Sequence, residues 1–448
     1  MPRDAMSNET PSPQSHAPQT RTVSRRKEAR STPARRQRGG LITALDVGTT
    51  KIACFIAREE EDGHLRVLGV GHHRSKGMRN GQVANMDEVE LSIRAAVDSA
   101  EQMANERISD VVVNISGGHP HSTRVEVEMS IAGHEVRGAD VRRIQAFGRE
   151  QHTDPDRELV HCIPVSYAID GADGVLDPRG MFGQTLGVNI HLISAALGPL
   201  RNLTTVVERC HLDIEDRVVT AYASGLACLV EDEKDMGVTV IDMGGGTTSI
   251  AVFHEGHVVH TGLIPVGGLH VTNDIAKGLT TPHANAERLK TMHGSCLPSP
   301  AEHRELLKVI QVGEEDEATA KEVPRSMLTQ IIQPRLEETF ELARAHLEAS
   351  GFLEVGGRLV VLTGGASQLQ GVRELAETIL DRQVRHGFPR RIRGLADSTS
   401  GPAFAACAGM LRYAVQHHVE TPDTDPAADN SAVSSAFGRL ARWWKENF

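Results

Sequence analysis

Several features are scarce or missing in this 448-residue chain. No stretch approaches the ~18 consecutive apolar residues of a membrane-spanning helix, which excludes an integral membrane protein. The N-terminus carries no apolar signal core, so no secretory signal is expected. The six cysteines (Cys54, Cys162, Cys210, Cys228, Cys296 and Cys407) are widely spaced with no CxxC pair. That argues against a zinc ribbon or disulfide framework and for a reducing compartment. Neither GxxxxGK[ST] nor GxGxxG is present, and HExxH and GxSxG are also absent. Among 22 histidines, His72–His73 and His417–His418 are adjacent and His119 and His121 flank a proline. Sequence neighbours of this kind do not face one site, so no histidine metal centre is expected. Aromatic residues make up only 3%, and both tryptophans lie in the last six positions.

What is present suits a large globular protein. Hydrophobic residues are 39% before 42 glycines are added, and the length predicts roughly two to four domains. The net charge of -11 hides an asymmetry. Residues 1–40 hold nine Lys or Arg against Asp4, Glu9 and Glu28, a balance of +6. Residues 420–448 balance at -2, leaving -15 between. An acidic body argues against nucleic-acid binding, which needs a basic face. The Pro-, Ser- and Arg-rich tail of residues 1–40 cannot bury enough apolar surface to order itself and is expected to be a solvated, disordered segment.

From Leu41 the pattern changes. LITALDVGTTKIACFIA reads as two strands around a glycine turn, LRVLGVGHHRS as a third, and MDEVELSIRAAVDSAEQMANE as a helix. ISDVVVNISGG returns to strand. Residues 123–205 form a separate α+β stretch, followed by the strand DIEDRVVT and the small-residue helix AYASGLACLVE. VTVIDMGGGTTSIAVF then repeats the opening: strand, Asp, one apolar residue, Gly, Thr-Thr, strand. Its aspartate lies 196 positions after the first, which is the scale of a duplicated domain. Helices are expected around 270–295 and 325–350, divided by the acidic loop GEEDEATAKE. RLVVLTGGASQL follows as a strand opening onto a helix near Gly371.

Three Gly/Thr turns thus follow buried-type strands, at Asp46–Lys51, Asp242–Thr248 and Thr363–Ala366. Glycines let backbone N–H groups approach phosphate oxygens, and threonines add hydroxyl donors. Asp46 and Asp242 would repel phosphate directly but suit a hydrated Mg²⁺ between carboxylate and phosphate. Lys51 stands where an ammonium could reach the same phosphates. Each loop alone is equally an ordinary turn; the ordered set of three carries the signal.

That order resembles the actin, heat-shock chaperone and sugar-kinase ATPase superfamily. The resemblance implies an α/β, actin-like two-lobed fold of duplicated ribonuclease-H-like domains with an inserted α+β subdomain, binding ATP and Mg²⁺. By this likeness Gly48, Thr49, Thr50 and Lys51 form the first phosphate loop. Gly244, Gly245, Gly246, Thr247 and Thr248 form the second. Gly364, Gly365 and Ala366 lie against the adenosine, and Glu287 and Lys290 of ANAERLK against the ribose. An ordinary i,i+3 ion pair remains the alternative for the last two. The hydrolytic relatives place an acid or glutamine at the start of the small-residue helix. Here the matching place is near Thr220, with neither, so ATP turnover is expected to be slow.

Within the superfamily the chain is similar to the FtsA family of bacterial division proteins. The likeness runs over residues 41–418 and resumes at the C-terminus, through GQVANMDEVELSIRAAVDSAE, VVVNISGGH, IPVGGLHVTNDIAKGLTT, RSMLTQIIQPRLEETFELARAHLEASG and VLTGGASQLQGVRELA. It implies a first lobe (41–122 and 206–236) interrupted by an inserted subdomain (123–205). The second lobe begins at 237–266, carries a subdomain at 267–335 for nucleotide or partner contacts, and continues through 336–418 with a return to the first lobe. A flexible linker (419–433) and an amphipathic helix (434–448) complete the chain.

At roughly 100° per residue, Phe437, Leu440, Ala441, Trp444 and Phe448 share one helical face. Arg439, Arg442 and Glu446 lie opposite and Trp443 on a flank, a pattern suited to a membrane interface. A helix docked on the protein's own core is the plainer alternative. The resemblance implies a peripheral protein at the cytoplasmic face of the division site that forms filaments with itself. It would bind the C-terminal tail of the tubulin-like protein FtsZ through the 267–335 subdomain and recruit later membrane proteins of the division machinery. An actin-like ATPase of a pilus or secretion machine, and a soluble chaperone- or kinase-type ATPase, are the rival readings.

Overall fold

A computed structural model describes residues 40–60, 63–314 and 320–420. The basic tail before Gly40 and the aromatic segment with Phe437, Leu440, Trp443, Trp444 and Phe448 lie outside the described residues. The described residues begin with β1 (Leu41–Val47), β2 (Lys51–Glu59), β3 (Leu65–Arg74), the short β4 (Met78–Arg79) and β5 (Gln82–Val83), α1 (Met86–Ala104) and β6 (Asp110–Ile115). Then come β7 (His121–Ser130), α2 (Gly138–Glu150), β8 (Arg157–Ile169), β9 (Ala172–Val175), β10 (Thr185–Ala196), α3 (Leu197–Arg209), β11 (Asp213–Val219), α4 (Thr220–Cys228) and α5 (Glu231–Met236). The second half holds β12 (Val238–Met243), β13 (Thr248–His254), β14 (His257–Ile264), α6 (Gly268–Gly278), α7 (His283–His293), β15 (Leu306–Val309) and β16 (Lys321–Pro324). It closes with α8 (Arg325–Ser350), β17 (Leu359–Thr363), α9 (Val372–Leu380), β18 (Gln383–His386) and α10 (Ala405–Glu420).

The aliphatic runs of β1, β2, β12 and β13 are buried almost throughout, as strands covered on both faces must be. They lie inside two five-stranded sheets, ordered β11-β6-β1-β2-β3 and β18-β17-β12-β13-β14. In each, the central strand runs antiparallel to the hairpin partner that follows it and parallel to a later strand. The order and direction match strand for strand, so the sequence repeat is a repeated sheet. α10 packs on β1, β2 and β6, α4 packs on β12 and β13, and the two helices pack on each other. That leaves the sheets facing one another across two helices. α4 can sit there because its sequence, TAYASGLAC, is mostly small, and all nine residues are buried.

Between β6 and β11 lies an antiparallel sheet of order β7-β10-β8-β9 with its own apolar core, including Val127, Ile144, Leu186 and Ile190. α1 starts as the sequence suggests: Asn85 accepts hydrogen bonds from the N–H groups of Asp87 (3.1 Å) and Glu88 (3.4 Å). Two expectations change in detail. The helical stretch around 270–295 divides into α6 and α7, because Thr280 takes φ +51° and Pro282 cannot supply a helical N–H. The acidic loop is flanked by the hairpin β15–β16, whose four-residue strands are too short to read from periodicity. Among the described residues no helix is long and apolar enough to cross a membrane.

Candidate functional site

The two central hairpins turn in the same way. Gly48 N–H donates to Lys51 O (3.1 Å) and Gly244 N–H to Thr247 O (2.9 Å), while the flanking pairs are Val47 with Ile52 and Met243 with Thr248. This register corrects a detail of the sequence repeat. The two Thr-Thr pairs are not equivalent: Thr49 and Thr50 correspond to Gly245 and Gly246, and Lys51 to Thr247. The hairpin tips meet in a complementary way. A Cβ on Gly245 would come within 2.4 Å of Thr50, and one on Gly246 within 2.5 Å of Thr49. Glycine is required where the opposite tip carries threonine.

Around the tips lies a cleft of about 740 Å³, including the space at its mouth. It brings together Asp46, Gly48, Thr49, Thr50 and Lys51 with Asp242, Gly244, Gly245, Gly246 and Thr247, and adds Gly364 and Gly365. Gly364 takes φ +86°, and a Cβ there would lie 2.4 Å from Asp242 Oδ1. Glycine thus lets the third loop close on the second aspartate. The hydroxyls of Thr247 and Thr248 donate to Ser116 O (3.2 Å) and Val266 O (2.8 Å), while Thr49 accepts from Gly81 N–H (3.0 Å). Thr248 is fully buried and belongs to the frame of the hairpin.

Burial pushes the carboxyls of both Asp46 and Asp242 up to about 6. Lys51 and a hydrogen bond from Asn114 oppose the shift at Asp46. At Asp242 a hydrogen bond from Ser224 and the Lys51 charge oppose it, while the charge of Asp46 adds to it. The Asp242 carboxyl therefore senses the Asp46 charge across the cleft. Burial lowers the Lys51 ammonium against the pull of Asp46 and, less strongly, Asp242. Its Nζ donates to Ala403 O and stands 3.3 Å from the centre of the Phe404 ring. Lys51 is thereby tied to the segment that leads into α10.

Glu287 and Lys290 lie on α7, outside the cleft lining. They form an i,i+3 ion pair (2.7 Å), and Lys290 Nζ also donates to Gly268 O (3.1 Å) and Thr272 Oγ1 (2.8 Å). The pair thus joins α7 to the first turn of α6. Ala366 is likewise absent from the cleft lining. The sequence reading did not single out Asn114, Ser116, Ser249, Pro402, Ala403 or Ala406, all of which line the cleft. Asn114 had a readable signal, a lone amide inside the aliphatic run VVVNI. The others come from segments that only the fold brings in. Thr220 lines the cleft as well, with its hydroxyl donating to Ile115 O (3.0 Å).

Comparison with known proteins agrees with this geometry. Residues 239–409 match the family described as "Cell division protein FtsA", and residues 117–194 match the "SHS2 domain inserted in FTSA". The cell division protein FtsA of Rhizobium meliloti (strain 1021) is 40% identical over 427 residues, covering 93% of this chain and 97% of the relative. Its Pseudomonas aeruginosa counterpart is 36% identical over 92% of this chain and 99% of the relative. The Escherichia coli (strain K12) protein is 33% identical over 91% and 98%. Among solved structures, the PilM–PilN type IV pilus biogenesis complex matches with a TM-score of 0.60 at 16% identity, over 84% of this chain and 98% of that one. MreB 5 of Spiroplasma citri bound to AMPPNP matches at 0.51 and 13% identity, over 85% and 98%. These structural likenesses carry the fold alone, the actin-like two-lobed α/β architecture.

Proposed function

Since the chain belongs to the FtsA family of cell-division proteins, we propose that it is an ATP-binding, actin-like protein. In this reading it polymerises at the cytoplasmic face of the membrane, tethers the FtsZ ring there and recruits later division proteins. One observation carries the nucleotide part: two equivalent glycine hairpins and a third glycine loop line a single cleft with Asp46, Asp242 and Lys51. Backbone N–H groups at Gly48–Thr50 and Gly244–Gly246 would meet the phosphates, with Gly364, Gly365 and Ala366 toward the adenosine and Glu287 and Lys290 toward the ribose. AMPPNP in the related MreB 5 fold supports a nucleotide in this class of cleft.

The residues also suit Mg²⁺. Two buried acids near one another, with carboxyls pushed up to about 6, form a site that a hydrated cation would relieve. When bound, Mg²⁺ would offset the phosphate charge beside those carboxylates. Asp46 and Asp242 would hold its water shell, and Lys51 would add a fixed positive charge. Thr220 donates to a backbone carbonyl and carries no acid or amide. That supports slow turnover, since phosphoryl transfer to water depends on orienting the water.

The remaining assignments extend the same reading. The first lobe spans 41–122 and 206–236 and carries the 123–205 insertion. The second lobe spans 237–266 and 336–418, with 267–335 as the subdomain that takes the FtsZ tail. The linker 419–433 would lead to membrane contact through Phe437, Leu440, Trp443, Trp444 and Phe448. A single short amphipathic helix binds reversibly, and filament formation would multiply the attachment. The pilus-machine alternative has a fold likeness at 16% identity, against 33–40% across nearly the whole chain for division proteins.

The test is co-sedimentation with anionic liposomes, with and without ATP, of the full chain and a chain ending at Asn430. Only the full chain should pellet, and the double change Trp444→Glu and Phe437→Glu should release it while leaving the body folded. Equal pelleting of both chains would move the membrane contact elsewhere, and pelleting of neither would overturn the anchoring role.

A further inference from the structure

Asn114 lies on β6 with 1% of its surface exposed, between the buried aliphatics Val113 and Ile115. An amide in that position loses its hydration and must be fully hydrogen-bonded to be tolerated. Its orientation is set by the main chain: Val47 N–H can only donate, so Asn114 Oδ1 accepts from it at 2.7 Å. Nδ2 therefore faces the opposite way. It donates to Asp46 Oδ1 at 2.7 Å and, at a longer 3.4 Å, to Thr220 Oγ1. Because Thr220 gives its own hydrogen to Ile115 O, its oxygen is available to accept. One side chain thus joins the end of β1, the strand β6 and the first residue of α4.

The second aspartate is held differently, by the hydroxyl of Ser224 on α4. A hydroxyl can rotate, whereas the Asn114 amide is fixed at both ends. Anchoring Asp46 through Oδ1 leaves Oδ2 to accept from water around a cation. We infer that Asn114 is a positioning residue of the cleft: it orients the Asp46 carboxylate toward the metal that accompanies the nucleotide, and the metal-dependent part of nucleotide affinity runs through it. This rests on the nucleotide reading proposed above. It goes beyond that reading by separating the Mg²⁺-dependent affinity from the affinity of the backbone loops and assigning it to a side chain outside the glycine motifs.

Asn114→Leu keeps the branched shape and removes both the donor to Asp46 and the acceptor for Val47 N–H. The full chain and this variant are titrated with the fluorescent analogue mant-ATP in excess Mg²⁺ and in EDTA, with thermal melting recorded separately. Loss of a group that orients a metal-holding carboxylate costs roughly 10- to 100-fold in metal-linked affinity. The variant should therefore lose roughly tenfold or more with Mg²⁺ and stay within about twofold of the parent in EDTA. In an Asp46→Asn background the same change should add little, because the carboxylate it orients is gone. A purely structural role would lower the melting temperature and weaken both titrations equally, and that result overturns the inference. So does a variant that keeps the parent's Mg²⁺ dependence. Should Asn114→Leu fail to fold, Asn114→Ser, too short to reach Asp46, is read by the same criteria. A parent chain that binds no mant-ATP under either condition would instead overturn the nucleotide reading itself.

Discussion

The two cleft hairpins share a backbone but differ in their side chains. The first tip carries Thr49, Thr50 and Lys51 where the second carries Gly245, Gly246 and Thr247. The first aspartate is held by a rigid amide and the second by a hydroxyl. Duplication supplied two identical turns, and the differences between them let the turns close on one another. Two threonine-bearing tips would collide, whereas two glycine tips would leave the cleft wider and without Lys51. The asymmetry is therefore a condition for a narrow site and also what makes the two halves unequal in chemistry.

The largest effect should come from removing the charges that the cleft concentrates. Asp242→Ala and Lys51→Ala should each lower Mg²⁺-ATP affinity on the order of 100-fold by calorimetric titration. Unchanged affinity in both would break the phosphate-clamp assignment for either hairpin. Next is the packing of the tips. Gly245→Val would drive a side chain into Thr50 and should cost about tenfold in nucleotide affinity by forcing the tips apart. Adding Thr50→Gly should recover part of that loss, as expected for directly coupled neighbours. No recovery would mean that the tips do not constrain one another in solution.

A similar effect should follow from pH. Both carboxyls titrate at about 6 in the folded chain. Lowering pH through that value protonates them and weakens their hold on a cation, so Mg²⁺-ATP affinity should fall about tenfold between roughly pH 7.5 and 5.5. Stability of the nucleotide-free chain shifts the other way. Unfolded aspartates titrate near ~4, so between ~4 and ~6 the native state binds more protons and is favoured as pH falls. Melting curves of the parent against Asp46→Asn with Asp242→Asn isolate this contribution; an identical pH slope in the two would exclude it. The smallest effect expected is that of Ser224→Ala. Loss of one hydrogen bond to Asp242 should cost about 0.5–1 kcal/mol in Mg²⁺-ATP binding, less than loss of the Asn114 amide.

Much of the site was legible because its backbone demands leave marks in sequence. Tight turns and close approaches require glycine, so GTT, GGGTT and TGGAS stood out, and the buried strands before them read as aliphatic runs. The duplicated sheet was legible for the same reason. Less legible were features whose cause lies elsewhere in the chain. Glu287 and Lys290 show only an i,i+3 spacing in the sequence, whereas the bond from Lys290 to Gly268 O depends on how α7 packs on α6. The hairpin β15–β16 was too short to show a period.

By itself the sequence determined the strands, the three glycine turns, the aspartates before the first two of them and the duplicated order, because local sterics and burial fix which residues can occupy those places. Tertiary structure decided which threonines face which glycines, that Ala403 and Phe404 hold Lys51, and that Asn114 reaches Asp46 from 68 positions away. Those pairings depend on how two sheets stack across α4 and α10. Distances across that stack are set by packing of the whole core, so no local pattern in the chain records them.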